Sequence, residues 1–293
     1  MIPPVCWPNA PTASLRWSGP AVGRLIDEGF SFDADTALAG QLAHEGGELI
    51  LAVRSNLRRL AIDPRQLGRL ADKRANDFIL ERLAQGRPDD AVLSEEEIDD
   101  RLRLSAARVW IVDPLDGTRE FTMGRPDWAV HIALWEAGVG ITAAAVALPA
   151  LGELFTTQNA PSVAEQGRTH VRERPLILVS PSRPPPFAGF VARDVDADLA
   201  TMGSAGAKAM MVLGGQADAY LVTGGQREWD SAAPVGVLKA AGFHASRIDG
   251  SELVYNKPDA YVADFLMCRP DLAEIFLDSI ARAAAGGYGN FRR

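Results

Sequence analysis

The stretch Val109-Trp110-Ile111-Val112-Asp113-Pro114-Leu115-Asp116-Gly117-Thr118 constrains this chain more than any other. Val109, Ile111 and Val112 are β-branched and apolar, as a buried strand requires, while Pro114 ends ladder pairing and holds Asp113 extended. Both carboxylates should therefore emerge where the strand stops. Asp113 and Asp116 can offer oxygen ligands to a hard divalent cation, and Gly117-Thr118 offers backbone N–H groups and a hydroxyl to an anion beside it. Taken alone, Asp-Pro and Asp-Gly pairs are also what solvated turns use, so the run needs support from elsewhere in the chain.

Composition narrows the partners. Of 293 residues 47% are hydrophobic, enough to fill the core of one large domain or two smaller ones. Thirty basic against 38 acidic side chains leave a net charge of −8, which argues against polymeric nucleic acid. An acidic protein that handles a small polyanion needs local compensation, and bound divalent cations supply it. Cys6 and Cys268 lie far apart without Cys-x-x-Cys spacing, which argues against a disulfide framework or a zinc ribbon. No apolar run approaches the ~20 residues of a membrane span. The chain reads as soluble and cytoplasmic, with no membrane partner. Residues 1–32, rich in proline and without a charged segment followed by an apolar one, read as a loose N-terminal extension or a mis-assigned start.

Periodicity predicts a helix from Thr36 to about Arg54 and a second following Asp72, with Ala75, Phe78, Ile79 and Leu83 on one stripe and Gly86 as its stop. Ala91–Leu93 reads as a short strand, and Trp128–Trp135 and Ile141–Leu148 as antiparallel neighbours. Residues 158–174 are polar and aperiodic, a surface connection. Beyond them Leu176–Ser180 and Ala219–Thr223 read as strands, Ala205–Leu213 as a helix capped by Ser204, and Ser231–Ala240 as a helix. The expected division is an N-terminal α+β unit over 33–170 that carries the metal site and a C-terminal α/β unit over 171–293.

Further acids stand in suggestive contexts, each with a plainer reading. Glu95, in Leu93-Ser94-Glu95-Glu96, opens an acidic stretch that would otherwise be a solvated loop. Asp230, in Glu228-Trp229-Asp230-Ser231-Ala232-Ala233, and Asp72, in Leu70-Ala71-Asp72-Lys73, could each be only a helix cap. Gly203, Ser204 and Ala205 could turn helix N-terminal N–H groups toward an anion, with Lys208 adding a charge, or form an ordinary Ser-capped helix. There is no Gly-x-Ser-x-Gly and no Walker loop, and the four histidines read as surface or packing residues.

Together these segments resemble the inositol monophosphatase family of lithium-sensitive, Mg²⁺-dependent phosphomonoesterases, whose Asp-Pro-[Ile/Leu]-Asp-Gly-Thr signature is similar to Asp113–Thr118. The resemblance runs from about residue 33 to 285 and implies a layered αβαβα sugar-phosphatase fold, combining α+β and α/β features, and a homodimer. It implies Glu95, Asp113, Leu115, Asp116 and Asp230 as ligands of two or three Mg²⁺ ions, and Asp72 with Thr118 as the pair that orients the attacking water. Gly117-Thr118-Arg119-Glu120-Phe121 looks like the Gly-Thr-Lys-Glu-Phe of the 3′(2′),5′-bisphosphate nucleotidase branch, with Arg for Lys, rather than the Gly-Thr-Thr-Asn-Phe of inositol phosphatases. Gly203–Lys208 resembles that branch's Gly-Ser-[Ser/Ala]-x-x-Lys. The branch implies Gly117, Thr118, Arg119, Glu120, Gly203, Ser204, Ala205, Lys208 and Asp230 as substrate contacts. It also implies removal of the 3′-phosphate from adenosine 3′,5′-bisphosphate, or its phosphosulfate analogue, in sulfate assimilation. An inositol 1-phosphate or fructose 1,6-bisphosphate phosphatase is the alternative.

Overall fold

Two long helices precede the first sheet: α1 (Ala34–Leu57) and α2 (Pro64–Gly86). The computed structural model describes residues 2–3, 34–57, 62–166 and 173–288, so most of the expected N-terminal extension, with Cys6, lies outside the described residues. α2 starts at Pro64 because Asp63 caps it, accepting the Arg65 and Gln66 N–H groups. The helix start expected after Asp72 is thereby corrected: Asp72 lies inside α2 on its buried side and caps nothing.

Leu42, Ile50 and Val53 of α1 and Ala75, Ile79 and Leu83 of α2 cover one face of a five-stranded sheet. Its strands, in spatial order, are β1 (Ala91–Ser94), β2 (Arg108–Asp116), β3 (Ala129–Glu136), β4 (Gly140–Leu148) and β5 (Glu153–Thr156). β1 runs parallel to β2 with Leu93 opposite Ile111, and the other pairs are antiparallel. β2 is buried on both faces, Trp110 and Val112 toward α1 and α2, Val109 and Ile111 away from them, which explains its unbroken apolar run. Its last residue leads through Gly117 into a single turn, α3 (Thr118–Thr122). Among its described residues, the expected polar connection holds a short helix, α4 (Val163–Gln166).

A second sheet follows in the order β7-β6-β8-β10-β9, built from β6 (Leu176–Val179), β7 (Asp198–Thr201), β8 (Ala219–Arg227), β9 (His244–Ser246) and β10 (Tyr261–Cys268). α5 (Ala188–Asp194) and α8 (Ala273–Ala285) cover its outer face. Between the sheets lie α6 (Ala205–Leu213) and α7 (Glu228–Ala240), whose Met210, Val212, Val235 and Leu238 share one core with Ile111, Val146, Tyr220 and Phe265. The result is the layered αβαβα fold. α7 begins at Glu228, so Asp230 is a first-turn residue whose carboxylate accepts the Arg227 N–H at 2.5 Å, not the N-cap the sequence suggested.

A polar clip ties the segment after β1 to the segment before β10. Arg103, 1% exposed, donates to both Asp99 oxygens, to Asn256 Oδ1 at 2.6 Å and to the Lys257 carbonyl at 2.9 Å. Glu228, fully buried, accepts the N–H groups of Asn256 and Lys257 at 2.7 and 2.8 Å. These bonds anchor the first turn of α7, two residues before Asp230.

Candidate active site

The register of β2 against β3 breaks between Asp113 and Asp116, where Pro114 has no N–H to give. Asp113 Oδ1 turns back to accept the Leu115 N–H at 3.1 Å, and its Oδ2 is buried without a hydrogen-bond partner. Gly117 then takes φ +87°, with Ser204 Cβ and the Asp127 carbonyl where a β-carbon would need to fit, so only glycine can make this corner. The corner brings Thr118 back over β2: its hydroxyl donates to the Leu115 carbonyl at 3.1 Å and lies 3.4 Å from Asp72 Oδ2 on α2.

Asp116 is held from the other half of the chain. Its Oδ2 accepts the Ser204 hydroxyl at 2.5 Å and the Gly206 N–H at 2.7 Å, and His131 Nε2 lies 3.4 Å away. Asp230 comes in from the first turn of α7, and Asp113, Asp116 and Asp230 each place a carboxylate oxygen within 4.8 Å of the others. Glu95, exposed at the rim, follows β1 and is anchored by its N–H to the Val112 carbonyl at 3.2 Å. Its charge is felt by Asp113 and Asp230. Of the five acids named from the sequence, Asp113, Asp116 and Asp230 converge, Thr118 links Asp72 to them, and Glu95 adds its charge from the end of β1.

Electrostatics follows from this crowding. Burial, then repulsion from Glu95, Asp116 and Asp230, pushes Asp113 well above the ordinary carboxylate range. Burial, then Glu96 and Glu95, raises Asp72 to about 8, and burial, then Asp116, raises Asp230 to about 7. So many carboxylates cannot all ionise side by side without a compensating cation. The unpartnered buried oxygens Asp113 Oδ2 and Asp72 Oδ1 mark where positive charge or water would complete the set. The donor set is entirely oxygen, so these residues fit a hard metal ion.

The expected substrate contacts divide. Arg119 is exposed, whereas Glu120 is 7% exposed, raised by burial, and packed against Gly203. Ser204 caps α6 through the Ala207 N–H at 3.0 Å while also serving Asp116. Two donors at this helix start, the Ser204 hydroxyl and the Gly206 N–H, thus neutralise a carboxylate of the protein. Lys208 is 3% exposed and donates to the carbonyls of Met202, Gly203 and Ser204 at 3.2, 2.8 and 2.8 Å, with the Tyr220 ring beneath. The point charge expected to meet the nucleotide is turned inward, where it braces the loop that presents Ser204.

Sequence reasoning missed His131 as a neighbour of the site. It is fully buried, and Nδ1 lies 3.0 Å from the Trp229 carbonyl, a pure acceptor. The neutral ring, favoured because burial lowers its pKa, therefore carries its proton on Nδ1 and turns Nε2 toward Asp116. Its only signal is positional: pairing of β3 with β2 sets His131 opposite Asp113.

Known proteins resemble this chain in sequence and in fold. Residues 33–283 match the Inositol monophosphatase family. A protein of Mycobacterium leprae (strain TN) named 3′-phosphoadenosine 5′-phosphate phosphatase is 52% identical over 257 residues, covering 84% of this chain and 93% of the relative. The 3′(2′),5′-bisphosphate nucleotidase CysQ of Escherichia coli (strain K12) is 28% identical, covering 76% and 94%. Among solved structures, CysQ from Bacteroides thetaiotaomicron superposes with a TM-score of 0.70 at 25% identity, over 82% of this chain and 98% of that one. The match across nearly the whole described chain, on a fold of the same layers, makes this protein a member of the inositol monophosphatase family.

Proposed function

We propose that this protein is a Mg²⁺-dependent phosphomonoesterase that removes the 3′-phosphate from adenosine 3′,5′-bisphosphate, leaving AMP and inorganic phosphate. The observation that carries the reading is the convergence of Asp113, Asp116 and Asp230 oxygens, backed by buried unpartnered carboxylate oxygens, in a chain half identical to a protein named for this activity. Bound Mg²⁺, held by Glu95, Asp113, Asp116, Asp230 and the Leu115 carbonyl, would neutralise phosphoryl charge and acidify water. The remaining steps fall to the chain. Thr118 donates its hydroxyl hydrogen bond to the Leu115 carbonyl or to Asp72 Oδ2, and Asp72, ionised once bound cations offset the neighbouring carboxylates, has Oδ1 left to accept a proton from the attacking water. Ser204 and Gly206 hold the Asp116 carboxylate in one orientation beside those of Asp113 and Asp230, ready to bind without reorganisation. The reaction needs no covalent intermediate. It would serve sulfate assimilation in the cytoplasm, be inhibited by Li⁺ and run on a homodimer, as the sequence resemblance implies.

A panel of adenosine 3′,5′-bisphosphate, inositol 1-phosphate and fructose 1,6-bisphosphate tests the reading. The bisphosphonucleoside should give the highest kcat/KM, and a higher value for either sugar phosphate would refute the assignment. Asp113→Asn should lower kcat at least about a thousandfold while far-UV circular dichroism stays native. Substantial residual turnover would contradict the ligand role.

A further inference from the structure

Arg183 lies in the loop after β6 and was in none of the motifs read from the sequence. Its Nη1 donates to the Gly225 carbonyl at 2.7 Å, on the strand that leads directly to Asp230. That contact is built into β8. Gly224 and Gly225 have φ of +73° and +72°, and here the pairing with β10 slips, so that Thr223 faces Asp264 and Gln226 faces Val262. The bulge turns the Gly225 carbonyl toward Arg183, while the Gly225 N–H goes to the Tyr261 hydroxyl at 3.2 Å. A β-carbon on Gly225 would sit 2.0 Å from Arg183 Nη1, so the guanidinium occupies the space the missing side chain leaves.

This guanidinium is exposed, and among the described residues no carboxylate pairs with it. Its prop, Gly225, lies two residues before Arg227, whose N–H donates to the Asp230 carboxylate at 2.5 Å, so the guanidinium stands beside the carboxylate cluster. A bisphosphorylated nucleoside brings two anionic groups, and only one can meet the metal-binding acids. The other arrives at a protein of net charge −8 and needs a cation of its own. Lys208 cannot serve, being spent on three carbonyls.

We propose that Arg183, propped on the Gly225 carbonyl, pairs with the phosphate of the substrate that is not hydrolysed and so sets the preference for bisphosphorylated over monophosphorylated substrates. Only part of the guanidinium fork is used by Gly225, leaving N–H donors for a phosphate. The inference rests on the phosphatase reading above and is tested apart from it by comparing adenosine 3′,5′-bisphosphate with adenosine 3′-monophosphate. Arg183→Ala and Arg183→Gln should each raise KM for the bisphosphate about tenfold or more and change that for the monophosphate less than about twofold, the loss expected for one charge-assisted contact. Gly225→Ala should reproduce that selective loss by displacing the side chain. The Mg²⁺ concentration for half-maximal rate should not move. Equal losses on both substrates, or a shifted Mg²⁺ dependence with an unchanged KM ratio, would overturn the role of Arg183 and leave the phosphatase reading standing. A wild-type protein that fails to hydrolyse the bisphosphate would overturn both.

Discussion

Ser204→Ala separates two jobs that one hydroxyl performs. The oxygen accepts the Ala207 N–H, capping α6, and the proton goes to Asp116 Oδ2 at 2.5 Å. Backbone strain does not confuse the comparison, because Ser204 already sits at φ +40° and alanine meets the same cost there. Losing the cap costs about 1 kcal/mol, which lowers Tm by roughly 2–4 °C in a chain of this size. Losing a hydroxyl bond to an ionised carboxylate costs about 1.5–3 kcal/mol. Asp116 keeps the Gly206 N–H at 2.7 Å, so the lower end applies. About 1.4 kcal/mol corresponds to tenfold, and the Mg²⁺ concentration for half-maximal rate should rise about that much. Phosphate release titrated against Mg²⁺ reads the second effect, and thermal melts of the metal-free protein read the loss of both bonds, so that Tm falls by at least the amount given for the cap. A lowered Tm with unchanged Mg²⁺ dependence would show that Ser204 only caps the helix, and the argument for a preorganised Asp116 would fail.

Two further outcomes follow from the same contacts. In the metal-free protein Asp72 and Asp230 hold protons up to about pH 8 and 7, whereas unfolded aspartates release theirs near pH 4. The folded state therefore binds more protons across that window, its extra stability is complete below about pH 4, and Tm should fall as pH rises toward 8. Because Mg²⁺ requires ionised ligands, its addition should raise Tm most at the alkaline end, and a metal-free Tm that climbs from pH 5 to 8 would contradict the crowded-carboxylate account. Arg103→Met should destabilise the protein by about 2 kcal/mol in urea unfolding, since it leaves Asn256 Oδ1 and the Lys257 carbonyl without their donor and frees the segment that pins Glu228. A loss within 0.5 kcal/mol, the scale of an ordinary surface change, would show that the clip is not structural.

Local chemistry made part of this protein legible. β2 announces itself because it is apolar on both faces, and the carboxylates at its end follow from Pro114 and Gly117. α6 has the bounds expected of a Ser-capped helix, and β3 and β4 lie where apolar runs flank glycines. The start of α2 was obscured because Asp63 and Asp72 are both plausible caps, and only burial tells them apart. β10 was missed because Asp264 interrupts its apolar run. That charge is tolerable only because Arg247, from another strand's end, pairs with both its oxygens at 2.6 Å.

What the chain alone determined was the inventory of acids and the place where the first of them leaves a strand, since residue type and neighbouring turns decide both. Which donor serves which acceptor was decided only by the tertiary structure. Ser204 and Gly206 turned to Asp116, Lys208 turned to its own loop, and Arg183 came to rest on Gly225. A hydrogen bond is won by whichever partner folding brings within about 3 Å, and that distance between remote segments is written in no local pattern.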